Sequence, residues 1–418
     1  MNLLNKTLFS TKNFLINEEI KIFYFFLCIT IFKSFSHFIK KNILGDRIDF
    51  WDFHVYWCTA NKFLNGENPY GGKIIKDCLS QFNFDLYFSY PPIILKSILF
   101  LGYFDIKIAK FTWILILLIS FFIIIWSINK TFFQKRNFLF LQSIIIIFSF
   151  GGVIWSALMA GNISIILYAI LSFGLYQLIR KKNNIFYLSV SLVSLAKFPF
   201  MIFFFLPLFL YGYKEFKRIT FFFFLVFLIY YFQYYFDKEL FMSFINSTKT
   251  YKSDNFLLIH GTGIGIHGNI DLLQNLIFSK SDIELFKPSG YFSFLLHLFI
   301  SLILFLSAFF LFPRTKKMNY KQIKLLVSFY IIVFLCCFPR ISSYDFFLII
   351  PSFLYIFNNS NIRKINNFWK LFSTIIIIAS VSVYDSKLPS LILSLTIFTC
   401  LYLQIIKKDP FKLEKKLT

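Results

Sequence analysis

The chain consists of a succession of apolar runs separated by short clusters of lysine and arginine. A helix that crosses a membrane needs about 20 apolar residues. Runs that approach or reach this length lie at 20–39, 91–104, 108–128, 137–154, 163–179, 185–197, 198–212, 219–236, 291–312, 325–338, 345–357, 368–384 and 388–406. The pattern predicts an all-α polytopic membrane protein with about 12 transmembrane helices, in which 1–418 form a single integral membrane domain.

The basic clusters predict which side of the membrane each loop faces. They are Lys130/Lys135/Arg136, Arg180/Lys181/Lys182, Lys214/Lys217/Arg218, Arg314/Lys316/Lys317, Arg363/Lys364/Lys370 and Lys407/Lys408. Two apolar segments separate each neighbouring pair, so all six clusters can face the cytoplasm. This requires that segment 91–104, which begins with Pro91 and Pro92 and carries Lys96, lies in or dips into the interface instead of crossing.

Composition agrees with a membrane protein, because 58% of the residues are hydrophobic and only 15% are charged. The net charge of +23 does not indicate a nucleic-acid partner, since the cations sit between apolar runs as the positive-inside rule expects. Membrane lipids are therefore the expected surroundings.

Two long loops, 40–107 and 237–290, fall on the non-cytoplasmic side, whereas every cytoplasmic loop is short. Long loops in a compact architecture are usually functional. We therefore expect the working face to be the outer one.

The first outer loop contains an apparent amphipathic helix over 52–65. One side of it carries Phe53, Trp57, Ala60 and Leu64, and another side carries Asp52, Tyr56 and Thr59. This spacing favours an interfacial helix with its aromatic side on lipid or on the spans. Asp49 or Asp52 is a candidate N-cap, and because one cap suffices, the other acid is available for chemistry.

Further candidate site residues lie at two outer turns. Lys197 interrupts the apolar stretch 185–212, where a lysine either snorkels to the surface or is paired and functional, for example against a lipid phosphate. In the segment "FPRISSYDFFLIIP", Arg340 can hold a phosphate bidentately, and Tyr344 stands beside Asp345, which is either an N-cap or a site acid.

Cofactor and metal signals are weak. The G-x-G-x-x-G in "HGTGIGIHGN" lacks the strand and the βαβ unit that dinucleotide binding requires. His260 and His267 have no matched carboxylate, so no metal and no cofactor are expected. Cys58 and Cys78 are able to pair, but unpaired packing is favoured; Cys336 and Cys337 are expected to be small buried hydrophobes.

The ordered motifs "DFHVYW…NKFLNGENPY", "FSYPP", "AGNISIILYAI", "LAKFPFMIFFFLPL" and "FPRISSYDFFLIIP" resemble glycosyltransferase family 87, membrane enzymes of the GT-C class. The resemblance implies transfer of a sugar from a polyprenyl-phosphate donor to a lipid or glycan acceptor at the outer side of the membrane. A hexose or pentose, with mannose favoured, is the expected sugar, and the bacterial inner membrane is the expected location.

The aspartate of the family's "D-hydrophobic-x-V-Y" motif matches Asp52, which the resemblance makes the catalytic base, and the tyrosine of that motif matches Tyr56. Where family members often carry a late histidine, this chain has Ser343, Tyr344 and Asp345. We expect an inverting, metal-independent reaction. Phosphate and substrate contacts are assigned to Lys197, Arg340, Tyr56, Tyr344 and Asp345.

A translocase or a polymerase of polyprenol-linked saccharides is the alternative function. Translocases place polar residues at the membrane midplane, often within paired repeats. Here the ionisable residues collect at one face and no convincing internal repeat is evident, which favours a transferase.

The topology is testable by cysteine labelling. Cysteines introduced at Asn68 and Asn269 should react with an impermeant thiol reagent in intact cells, and one introduced at Lys181 only after permeabilisation. Labelling of the Lys181 position in intact cells would contradict the assignment.

Overall fold

The computed structural model describes residues 50–70, 78, 87–132, 153–253, 265–278, 291–312, 320–338, 348–359, 397–402 and 404. Secondary structure in these ranges is entirely helical. The predicted segments 20–39 and 368–384 lie outside the described residues, as do most of 137–154 and 388–406.

Most helices overlap predicted apolar segments, whereas Lys238–Ser253 and Ile266–Phe278 lie in the predicted outer loop 237–290. They are α1 (Trp51–Leu64), α2 (Pro92–Ile98), α3 (Ile106–Phe132), α4 (Val153–Ala160), α5 (Ser164–Ile179), α6 (Asn183–Ala196), α7 (Leu206–Tyr211), α8 (Phe216–Phe236), α9 (Lys238–Ser253), α10 (Ile266–Phe278), α11 (Tyr291–Leu311), α12 (Tyr320–Cys336) and α13 (Ile349–Asn359). Short 3-10 helices occupy Leu99–Tyr103, Phe198–Phe205 and Tyr213–Glu215.

Within the described residues, three helical stretches are long and apolar enough to cross a membrane, namely Ile106–Phe132, Tyr213–Phe236 and Phe292–Leu311. Shorter apolar stretches accompany them at Pro92–Tyr103, Ser164–Ile179, Asn183–Ala196 and Phe198–Tyr211. The all-α membrane architecture is thus confirmed, whereas the count of about 12 crossings stays a prediction.

Helix α5 lies at the centre of the N-terminal half, between α3 and α6. Most of its side chains are buried, as expected for a helix that is apolar on all sides. Close packing on α6 depends on Gly174, since a Cβ there would stand 2.7 Å from the Cβ of Ser189. Helix α3 instead exposes large side chains such as Phe111 and Phe122 along its outer side.

Helix α1 is enclosed by protein to a greater extent than the sequence predicted. Its bounds agree with the predicted 52–65 to within one residue. However, Tyr56 and Thr59, which were expected on a solvent-facing side, are only 2% and 0% exposed. The expectation of an open polar side is therefore wrong, because α1 packs against α2, α3, α4 and the 3-10 helix that follows α2. The interfacial position of α1 stays a prediction.

The segment 91–104 forms α2 and the following 3-10 helix, a length too short for a span by itself. Its interfacial position stays a prediction. Lys96 forms an ion pair with Asp237 at the end of α8. The two predicted outer loops also meet where Asn68 donates a hydrogen bond to Ser243 at 2.8 Å, so residues of both loops lie together at one end of the molecule.

Cys58 of α1 forms a disulfide with Cys78, with their Cα atoms 6.2 Å apart. The expectation that these thiols stay unpaired is wrong, because the separation along the chain did not reveal how close the two residues lie in space. Disulfides persist in oxidising compartments, which agrees with an outer position for α1. Cys336 and Cys337 are buried free thiols, as predicted.

Replacing Cys78 with serine should lower the unfolding temperature, because a disulfide that joins residues 20 positions apart typically contributes about 2–4 kcal/mol. Thermal unfolding of the purified protein in detergent measures this. Reductant serves as the matched control: it should lower the unfolding temperature of the wild type to that of the variant and leave the variant unchanged. A wild type that is insensitive to reductant would contradict the disulfide.

Candidate functional site

The candidate site is built around the turn between α4 and α5, residues Gly161 to Ser164, which we call the 161–164 turn. Gly161 has a φ of +68°, and a Cβ there would meet the ring of Phe50 at 2.9 Å. Glycine therefore satisfies both the backbone conformation and the close approach. The Phe50 N–H donates to the carbonyl of Met159 at 2.8 Å, and Trp113 Nε1 donates to the carbonyl of Gly161 at 2.8 Å. These contacts hold the turn against α1 and α3.

Asp52 lies in the first turn of α1, where the N-cap position is occupied by Phe50. No side chain caps this helix end, so the capping role considered for Asp52 is wrong. Its carboxylate instead accepts a hydrogen bond at Oδ2 from Asn162 Nδ2, at 2.7 Å. Asp49, the other capping candidate, lies outside the described residues.

The surroundings of Asp52 shift its protonation. Burial raises the pKa of its carboxyl group from 3.8 to about 6, while the hydrogen bond from Asn162 and the charge of Lys197 act in the opposite direction. A carboxyl group with this pKa is mostly ionised at neutral pH, yet it accepts a proton more readily than an ordinary aspartate. Asp52 therefore has the properties of a general base.

Lys197 follows the last residue of α6, at the turn that the sequence predicted. Its Nζ donates to Ser164 Oγ at 2.7 Å, so a contact within the protein holds the ammonium group. The backbone N–H of Ser164 donates to Asn162 Oδ1, also at 2.7 Å. Hydrogen bonds thus join four residues into one connected chain, namely Asp52, Asn162, Ser164 and Lys197. The 161–164 turn therefore contacts both a carboxylate and a cation.

Tyr56 contacts the 161–164 turn and helps to stabilise it. Its hydroxyl accepts a hydrogen bond from the Ile163 N–H at 3.3 Å, and its ring lies edge-on to Trp113 with centroids 5.5 Å apart. Burial holds the pKa of Tyr56 well above its ordinary value, so the phenol stays neutral. The substrate contact expected for Tyr56 stays a prediction, while its contact with the turn is observed.

His54 and Lys110 also lie near the start of α1. Burial, together with the charge of Lys110, lowers the pKa of His54, so its imidazole is neutral at neutral pH. Lys110 Nζ lies 5.3 Å from the centre of the Phe50 ring. The positive charge around α1 therefore comes from lysines and not from histidine.

Three predicted site residues of the segment "FPRISSYDFFLIIP", which we call the late loop, lie outside the described residues: Arg340, Tyr344 and Asp345. The described part of that segment ends at Phe338, whose ring packs edge-on against Phe200 with centroids 5.2 Å apart. Phe200 follows Lys197 by three positions, and its N–H donates to the Lys197 carbonyl at 3.0 Å. The end of the described segment is thus packed against the 3-10 helix that follows Lys197.

Asn162 and Ser164 were missed as individual site residues, although the motif that contains them was noted. The available signal was their position: two polar residues after a glycine, at an outer turn between apolar runs. Neither side chain is ionisable, so neither stands out among the charged residues of the outer segments.

No group of three or more histidine, cysteine or acidic side chains with metal-site geometry occurs in the described parts of the chain. His267 stacks on His297 with ring centroids 5.0 Å apart, while His260 lies outside the described residues.

Comparison with known proteins gives one match. The model of glycosyltransferase family 87 matches residues 88–339, more than half of the chain. No curated protein and no solved structure matches significantly. The matched range includes the 161–164 turn and Lys197 and begins after α1, so Asp52 lies on the N-terminal side of it.

Proposed function

Because the chain belongs to glycosyltransferase family 87, whose members are GT-C-like membrane glycosyltransferases, we propose that it transfers a hexose or pentose from a polyprenyl-phosphate carrier to a lipid or glycan acceptor. Mannose is the favoured sugar, and the reaction takes place on the outer side of the membrane. The observation that carries the proposal is the connected chain from Asp52 to Lys197, with hydrogen bonds of 2.7 Å at Asp52, Ser164 and Lys197.

The reaction is a single inverting displacement. The acceptor hydroxyl oxygen attacks the anomeric carbon from the face opposite the phosphate, and the bond between that carbon and the phosphate oxygen breaks. Asp52 takes the proton of the attacking hydroxyl, a contribution of about 10²–10⁴-fold for general-base catalysis. Polyprenyl phosphate leaves with the bonding electron pair, and the ammonium group of Lys197 stabilises the charge that develops on it.

Asp52 is favoured as the base over three other acids of the predicted outer loops, which are exposed or partly exposed and already have partners. Asp105 accepts the N–H of Lys107 at 2.8 Å at the start of α3, and Asp237 is paired with Lys96. Glu67 is paired with Lys62 at 3.0 Å. Burial, by contrast, makes the carboxyl group of Asp52 more basic than an ordinary aspartate.

Lys197 is favoured as the phosphate ligand because the carrier phosphate lies at head-group depth while its polyprenyl tail stays in the bilayer. A cation at the end of an apolar helix lies at the corresponding depth. Arg340 is the second phosphate ligand of the proposal, and Tyr344 and Asp345 are assigned to substrate binding. No metal or other cofactor is part of this mechanism.

The proposal predicts the effect of Asp52→Asn. Asparagine keeps the shape of the side chain and can still accept the hydrogen bond from Asn162, but it cannot take a proton. Turnover should therefore fall by about two orders of magnitude or more, with donor binding nearly intact. Release of polyprenyl phosphate from a sugar-loaded carrier by the purified protein measures turnover, and a translocase would release none.

Asp105→Asn is the matched control, because Asp105 is also an aspartate near a helix start but bonds only to backbone in the described structure. It should cost some stability and leave turnover close to that of the wild type. An Asp52→Asn protein that transfers sugar at the wild-type rate would show that another group is the base.

Replacing Lys197 or Arg340 with glutamine should weaken donor use, because each variant loses a positive charge at the phosphate. The larger loss is expected at Lys197, because it follows an apolar helix and a charge at membrane depth acts in surroundings of low dielectric constant. Donor affinity is measured by titration of the carrier into purified, folded variants. Wild-type affinity in both would place the phosphate elsewhere, with Lys96 the next candidate once its pair with Asp237 is broken.

A further inference from the structure

Hydrogen bonds at both polar atoms of its side-chain amide hold Asn162 in one orientation. Nδ2 donates to Asp52 Oδ2, and Oδ1 accepts from the backbone N–H of Ser164, each at 2.7 Å. A carboxylate only accepts and a backbone N–H only donates, so reversing the amide would lose both contacts. The side chain is also buried, with 4% of Asn162 exposed. Its position relative to Asp52 is therefore determined by the turn and not by solvent.

The two oxygens of Asp52 are consequently unequal. Oδ2 is occupied by the Asn162 amide, while Oδ1 accepts no hydrogen bond from any residue in the described ranges. We propose that Asn162 is a positioning residue that reserves Oδ2 and leaves Oδ1 as the atom that takes the proton of the acceptor hydroxyl. This inference rests on the proposed function of Asp52 as the base.

The chemistry of the amide suits this role at both stages of proton transfer. Before transfer, its N–H stabilises the ionised carboxylate, and hydrogen bonds to a charged acceptor are stronger than neutral ones. After transfer, the proton resides on Oδ1, and Oδ2, now a carbonyl-type oxygen, still accepts from the same N–H. Asn162 therefore keeps its contact throughout the step and does not compete for the proton.

Loss of the amide N–H should also change the proton affinity of Asp52. The charged and titratable groups that act on Asp52 from the described elements are Lys197, at the end of α6, and Tyr56 of α1. Tyr56 is neutral, so Lys197 alone would oppose desolvation once the Asn162 hydrogen bond is removed. The pKa of Asp52 should then rise above its present value of about 6.

Two variants distinguish a role of Asn162 in positioning Asp52 from a role in stabilising the 161–164 turn. In Asn162→Ser, the shorter hydroxyl can still accept from the Ser164 N–H as in an Asx-like turn, but it does not reach Asp52. In Asn162→Asp, the size and the contact with Ser164 are kept, but the donor to Asp52 becomes a second carboxylate. Two adjacent carboxylates cannot both ionise readily, so one of the two pKa values rises strongly.

The experiment measures kcat and the donor KM from pH 5 to 9 with the purified full-length protein and polyprenyl-phosphate mannose as the probe. In the wild type, kcat/KM should fall below a midpoint near pH 6, because kcat/KM reports the pKa values of the free enzyme. In Asn162→Ser, that midpoint should move up by about one pH unit and the plateau of kcat should fall about tenfold, with the donor KM changed less than about twofold. In Asn162→Asp, the midpoint should move further in the same direction.

Asn61→Ala is the matched control, an asparagine of α1 that bonds to Asn65 and does not contact Asp52 in the structure. It should keep the wild-type pH profile. If both Asn162 variants fold and keep the wild-type midpoint, Asn162 serves only to support the turn and the inference is wrong. The Asp52→Asn variant distinguishes the two levels of the proposal: if it is active, the base assignment fails, and if it is inactive while the Asn162 variants are unaffected, only the positioning role fails.

Discussion

A carboxylate that is partly withdrawn from water must be hydrogen-bonded, or it takes up a proton and becomes neutral. This requirement governs the arrangement around Asp52. The Asn162 amide satisfies one oxygen, and the more distant charge of Lys197 also favours the ionised form. Desolvation still dominates, and the carboxyl group is left with a pKa of about 6. The site therefore combines an ionised group with an appreciable affinity for a proton, the combination that general-base catalysis needs.

The surrounding fold keeps this balance by fixing the 161–164 turn. Gly161 permits the backbone of the turn to touch the start of α1, and the indole of Trp113 holds its carbonyl from α3. The Cys58–Cys78 disulfide adds a covalent constraint to α1. Since the hydrogen bonds from Asp52 to Lys197 pass through the turn, a small displacement of α1 would break the connection between the two groups.

The site also joins a part of the chain that the family model matches to a part that lies outside the match. The family match covers the turn and Lys197, whereas α1 precedes it. The hydrogen bond from Asn162 to Asp52 crosses this division, with 110 positions between the two residues. The proposed site of this membrane glycosyltransferase thus includes a helix from outside the matched range, and the residues proposed to bind phosphate and to accept the proton come from different segments.

The sequence by itself determined the membrane class, the helical architecture and the positions of most described helices, because apolar runs of helical length are a local property of the chain. It also singled out Asp52 and Lys197 as candidates, since ionisable residues beside apolar segments stand out, while their roles stay predictions. The burial of Tyr56, the pairing of Cys58 and the role of Asn162 were decided only by the tertiary structure. Each depends on which segments meet in space, and hydropathy carries no information about contacts between residues far apart in the chain.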